Sequence, residues 1–146
     1  MGFQPDSNKI KWKIHFSSER EKVFEALATD KGRASFWAES APEINEQITF
    51  HFMDHPPVTG RILKKIHPVL FTVEYFEAVT RFSLESDLAG GTELTLVATG
   101  VPQAERTEVI SGWVSVLMNM KAVVDYGIDL RNHDRSLSWS KGYADN

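Results

Sequence analysis

The run His51-Phe52-Met53-Asp54-His55 is the most metal-like stretch of the chain, with two imidazoles and a carboxylate close together. Those groups suit zinc and its first-row neighbours. On a helix the two histidines would share a face, but the flanking residues alternate with a period of two. On a strand, positions four apart are separated by ~13 Å. A metal bound at about 2 Å would need that strand to fold back on itself, so the expectation is a solvent-facing strand end and no metal. His133-Asp134 with Ser111 or Ser136 supplies the residue types of an acyl-transfer triad. No nucleophile elbow or oxyanion loop accompanies them, and a polar turn is expected instead. No catalytic residue and no cofactor is assigned.

A third group is aromatic. Phe50, Phe52, Phe71, Tyr75, Phe82 and Trp113 fall at positions that face one interior, with Trp37 near its mouth. A packed core is one reading, because large rings are common in cores. A ligand pocket is the other, because a strongly curved sheet does not easily fill the gap to a single helix. Tyr75 and Trp113 each carry a polar atom that needs a partner and could orient a ligand. Glu39, beside the pair Phe36-Trp37, is the carboxylate whose titration would be examined first. Glu74, Arg61, Arg81 and Glu93 are expected on the solvated face.

These residues need elements to position them. Val109, Trp113, Leu117, Met120 and Val124 recur at three- and four-residue steps, which stacks them on one face of a helix from about Thr107 to Tyr126. Gly127 and Ile128 are placed to end it in a Schellman-type cap. Ahead of it, Ile10, Trp12, Ile14 and Phe16 alternate as a first strand. Ser18 and Glu21 have capping-box spacing for a helix to about Ala28, and Thr29 or Asp30 can cap a second one through Trp37. Strands follow from Ile44, from Val58 to Ile66, and over Val69–Phe76, Val79–Ser86 and Thr92–Thr99. The cluster Asp54-His55-Pro56-Pro57 is expected to break the ladder, and Gly90-Gly91 to turn a hairpin. The short connections predict an antiparallel meander, and the order of elements an α+β fold. The tail after Ile128 reads as an irregular strap whose aromatics dock on the body.

Composition sets the outer bounds. The chain has 146 residues, no cysteine and a formal charge of −4, so disulfides and thiolate chemistry are excluded. Its acidity argues against a nucleic-acid or anionic-membrane surface. No apolar run approaches the ~18 residues of a membrane span, and the N-terminus lacks the apolar core of a signal peptide. One domain over residues 1–146, in the cytoplasm, is the expectation.

The segment Gly90–Gly100, GGTELTLVATG, followed by the helix opening Ile110–Lys121, ISGWVSVLMNMK, resembles the activator of heat-shock protein 90 ATPase homologue family. That family lies within the START-like (SRPBCC, polyketide-cyclase-like) superfamily. Ser17–Glu39 is similar to the family's opening, a capped helix ending at an aromatic pair. The resemblance implies a helix-grip fold: a curved antiparallel sheet wrapped around the long C-terminal helix, two short helices after the first strand, and an apolar cavity between sheet and helix. It implies a small apolar or amphipathic ligand there, lined by Trp37, Phe50, Phe52, Ile62, Val73, Tyr75, Phe82, Leu96, Trp113, Leu117 and Met120. The eukaryotic chaperone activators place a separate domain ahead of this one, for which 146 residues leave no room. A chaperone-linked protein partner is therefore the lesser expectation, alongside a cyclase- or hydrolase-like enzyme. The DLRNHD run at Asp129–Asp134 looks like a feature of certain stand-alone members.

Overall fold

In the computed structural model, which describes residues 3–146, the first alternating run forms β1 (Lys9–Phe16), with Ile10 and Phe16 fully buried. Two short helices follow, α1 (Arg20–Ala28) and α2 (Asp30–Phe36). Thr29 starts the second, its hydroxyl accepting the Gly32 N–H at 2.9 Å, which satisfies a first-turn donor. The capping box expected at Ser18 and Glu21 is not formed, and α1 has no side-chain cap. The Ser18 hydroxyl donates instead to Asp125 Oδ1 at 2.7 Å, and the same carboxylate takes the Ser17 and Ser18 N–H groups at 2.9 and 3.1 Å. Three bonds to a charged acceptor outcompete a local pairing with Glu21. Burial alone would raise the Asp125 carboxyl, but these donors from Ser17 and Ser18 outweigh it and hold it below the usual range.

The remaining strands are β2 (Glu43–Ile44), β3 (Gln47–Phe52), β4 (His55–Ile66), β5 (Leu70–Tyr75), β6 (Ala78–Ser86) and β7 (Thr92–Thr99). They form one seven-stranded sheet in the order β1-β7-β6-β5-β4-β3-β2. Every neighbouring pair is antiparallel, and β1 returns to pair with β7 from Lys9↔Thr99 to Phe16↔Thr92. Two expectations fail locally. Asn45 and Glu46, at φ 51 and 64, divide the strand read from Ile44 into β2 and β3. Pro56 and Pro57 do not break the ladder but lie inside β4. Pairing with β5 begins only at Ile62, so the prolines sit where β3 alone flanks β4 and no N–H is needed on the open side. Further along, a Cβ on Gly60 would lie 1.8 Å from the Glu74 carbonyl oxygen, so only glycine admits β5 so close.

The sheet curves around α3 (Arg106–Tyr126), an α+β arrangement of the helix-grip kind. Trp113, Leu117, Met120 and Val124 are buried as the stripe requires, with Val109 packed partly against the core. Asn119 shares that buried face. Gly127, at φ 67, ends the helix, and the Ile128 N–H turns back to the Ala122 carbonyl at 3.1 Å. The Ile128 side chain stays 55% exposed, so the apolar half of the expected cap is not made. Among the described residues no helix is long and apolar enough to cross a membrane.

Candidate functional site

The last turn of α2 directs Trp37 inward. Arg33, itself fully buried, fixes that turn: Nε donates to the Ala41 carbonyl at 2.9 Å, Nη1 to the Leu27 carbonyl at 3.0 Å and Nη2 to Asp30 Oδ1 at 2.7 Å. Burial lowers the Arg33 pKa, opposed by the Asp30 and Glu43 carboxylates. Trp37 therefore does not sit at a mouth. Its ring is 3% exposed and lies among Phe36, Phe50, Tyr75, Phe82 and Trp113, with centroid separations from 4.8 Å (Phe50) to 5.9 Å (Phe36).

On one side of this aromatic cluster opens a cleft of about 490 Å³. Its walls are the end of α2, the β3–β4 turn at Phe52–His55, the β5–β6 turn around Tyr75 and Phe76, the first half of α3, and the tail. Of the residues anticipated for a pocket, Trp37, Phe52, Tyr75 and Trp113 line the cleft. Phe50, Ile62, Val73, Phe82, Leu96, Leu117 and Met120 are packed in the buried core, and they are not part of the cleft wall. Thr80, Val109, Val116 and Asn119 complete the wall and were not anticipated.

Two polar atoms of these wall residues are buried without a hydrogen-bond partner in the protein, Trp37 Nε1 and Thr80 Oγ1. Burial pushes the Tyr75 phenol well up, opposed by the polar N–H of the neighbouring Trp37 indole. The two rings lie 5.3 Å apart between centroids, and the indole N–H makes no hydrogen bond within the protein. The carboxylates of the cleft, Glu39, Asp54, Glu105 and Glu108, lie towards solvent, whereas the Arg131 side chain is largely buried.

The tail closes one side, and it does so through the Asp129–Asp134 run. Arg131 donates from Nη1 to the Ala38 carbonyl and from Nη2 to the Ala34 carbonyl, both at 2.8 Å, and grips Asp129 through Nε and Nη2 at 3.0 Å. His133, at φ 55, bridges Glu39 Oε2 at 2.6 Å and Asp129 Oδ2 at 2.7 Å. Those two carboxylates, Asp129 foremost, raise the His133 pKa against partial burial and the Arg131 charge. Burial would raise Asp129, but Arg131 and His133 hold it far below the carboxylate range. Asn119 ties the clasp to α3, donating to the Phe36 carbonyl at 3.1 Å and accepting the Leu130 N–H at 2.8 Å. Trp139 docks half-buried, its Nε1–H on Glu108 Oε1 at 3.1 Å, whereas Tyr143 is 42% exposed. Asn119 carried no sequence signal beyond a polar residue on an otherwise apolar face, and Arg131 none beyond its place in the Asp129–Asp134 run.

The metal-like run is arranged differently from the straight strand assumed for it. The chain turns at Met53-Asp54 so that Phe52 pairs with His55, which removes the separation argument. His55 Nδ1 bonds the Pro56 carbonyl at 2.7 Å, and its ring stands edge-on to Phe52 and Phe76. Among the described residues no three His, Asp or Glu side chains are placed to share an ion. The triad is not assembled either, because His133 bonds neither serine nor Asp134. His133 is held by Glu39 and Asp129, Asp134 by Ser136 at 2.7 Å, and the Ser111 hydroxyl bonds carbonyls of its own helix.

Residues 17–125 match the model of the family described as Activator of Hsp90 ATPase homolog 1-like protein. Among solved structures, the fold is similar to that of a protein from Staphylococcus saprophyticus at 22% identity and TM-score 0.72, covering 84% of this chain and 96% of that one. It is similar to the Aha1 dimer from Colwellia psychrerythraea at 17% identity and TM-score 0.72, covering 82% and 97%. DynU16, a protein in the dynemicin biosynthetic locus, matches at 19% identity and TM-score 0.67 over 84% of this chain and 49% of its own. No curated protein matches the sequence.

Proposed function

The chain belongs to the Activator of Hsp90 ATPase homolog 1-like family, and from that premise we propose that it is a START-like binding domain whose cleft takes a small apolar or amphipathic molecule. The observation that carries this reading is the cleft itself. Its volume of about 490 Å³ falls in the usual range for small-molecule sites, roughly 300–1,000 Å³. Rings of Trp37, Phe52, Tyr75 and Trp113 supply rigid apolar walls. An apolar ligand entering it gains roughly 25 cal/mol per Å² removed from water, enough for micromolar binding after association costs. That DynU16 belongs to a biosynthetic locus supports small organic molecules as the first class to screen. Binding is favoured over cyclase- or hydrolase-like catalysis because the four carboxylates of the cleft are solvent-exposed rather than converging inside it. A single domain over residues 1–146, acting in the cytoplasm, completes the proposal and fits the absence of cysteine.

The test is a screen for compounds that raise the melting temperature, since a ligand of the folded state stabilises by mass action. Saturable binding that shifts tryptophan emission is expected, and no saturable binding to any apolar probe would overturn the reading. A second reading rests on a different surface. Val114, Met118 and Leu130 are 41%, 51% and 50% exposed and line a shallow groove between α3 and the tail. That groove supports an interaction module, chaperone-linked or self-associating as the Colwellia protein is. Met118→Glu would abolish such an association, measured by light scattering, and leave probe binding intact.

A further inference from the structure

Charge and hydrogen-bonding capacity are divided unevenly in the cleft. Four carboxylates line it, those of Glu39, Asp54, Glu105 and Glu108, against Arg131 and His55. The Arg131 guanidinium is already committed to Asp129 and to the Ala34 and Ala38 carbonyls, and His55 Nδ1 to the Pro56 carbonyl. Glu39 is likewise held by His133 at 2.6 Å, so an anionic head group meets no free cation fork and the like charges of Asp54, Glu105 and Glu108. At the inner wall the need is reversed. Trp37 Nε1–H and Thr80 Oγ1 are buried without a protein partner, and burial keeps the neighbouring Tyr75 in its phenol form. Buried polar atoms without partners are rare and costly, and a ligand that supplies the missing partner recovers that cost.

We infer that the cleft selects a neutral or cationic amphiphile, inserted ring-first with a hydrogen-bond acceptor such as a carbonyl oxygen on its inner end, and rejects carboxylate amphiphiles. This inference rests on the binding reading above. The acceptor takes the Trp37 N–H, the ring fills the aromatic wall, and the outer end faces the acidic rim, where a cation also gains from the ring faces.

Calorimetric titration with four matched probes tests it: 2-acetylnaphthalene, 2-ethylnaphthalene, 2-naphthoate and a trimethylammonium-methyl naphthalene. The ketone should bind about fivefold tighter than the ethyl compound, as one added hydrogen bond implies. The naphthoate should bind about tenfold weaker than the ketone at low salt, with the gap closing as salt rises. Trp37→Phe should erase the advantage of the ketone over the ethyl compound. Glu108→Gln should narrow the naphthoate gap. Equal binding of ketone and ethyl compound, or naphthoate binding as tightly as the ketone or the trimethylammonium compound, overturns the inference and leaves the binding reading standing. If none of the four binds, the binding reading falls and the inference with it.

Discussion

The two ends of the interior use the same kinds of residue and are closed in different ways. Towards α1, Phe16, Phe24, Phe71 and Leu94 are buried almost completely, with Phe24 edge-on to Phe71 at 6.4 Å. Regular elements seal that end: α1 and the eight-residue β1 paired along β7. Towards Trp37 the rings are as crowded, yet the wall beyond them is two hairpin turns and an irregular tail held by Arg131, His133 and Asn119. Opening the first end means breaking a ladder of backbone bonds, whereas opening the second means releasing a few side chains. A binding site belongs where closure is the cheaper to undo.

The sharpest test of that contrast is a pair of truncations. Phe71→Ala should cost about 3–5 kcal/mol in urea titration, and Phe52→Ala, half-buried at the cleft, about 1 kcal/mol. Equal losses would erase the distinction between the two ends. Next in size is Asn119→Leu, which strips partners from the Phe36 carbonyl and the Leu130 N–H and should cost about 2–3 kcal/mol. Limited proteolysis should then cut the tail first, and a tail as resistant as in the wild type would mean that Asn119 does not hold it. A third pair separates filling from overpacking. Leu117 lies in the core behind the cleft, so Leu117→Trp should destabilise by about 1–3 kcal/mol. Gly112 lies on the cleft wall, where an added Cβ comes no closer than 4.0 Å to Trp139. Gly112→Leu should keep or raise stability by up to about 1 kcal/mol while weakening probe binding; unfolding of this variant would show a filled cleft.

The smallest effect is with pH. The His133 pKa is raised in the folded protein, so its contribution is complete below the ordinary histidine value of 6.5 and is lost as pH rises through the folded value. Asp129 is shifted the other way, and its contribution is lost only in acid. Between pH 6 and 8 the clasp should therefore weaken through His133 alone. Because His133 is partly solvent-screened, the change should stay under about 1 kcal/mol. The melting-temperature gap between wild type and His133→Gln should shrink from pH 6 to pH 8, and a constant gap would show that His133 keeps one protonation state.

Periodicity made most of the fold legible. The alternation in Thr92–Thr99 marks β7 to the residue, and the stripe from Trp113 to Val124 marks the buried face of α3. Local rules failed where a distant group competed. Ser18 bonds Asp125 across the fold instead of capping its own helix, and Pro56 is tolerated because β4 pairs with β5 only from Ile62 onward. The aromatic wall could be anticipated from Trp37, Tyr75 and Trp113. The clasp could not, because Arg131 holds main-chain carbonyls of Ala34 and Ala38, and carbonyls carry no sequence signal.

The pairing of β1 with β7 has a consequence for the order in which the molecule assembles. Strands β2 to β7 join neighbours through short turns, while Lys9 must find Thr99 across more than half of the chain. Closing so long a loop carries an entropic penalty that local hairpins avoid. The meander should gather first around α3, and β1 should dock late, completing the barrel-like wrap only when the rest is in place. Substitutions at Ile10 would then accelerate unfolding and hardly slow folding, which makes the first strand the latch that sets how long the native state persists.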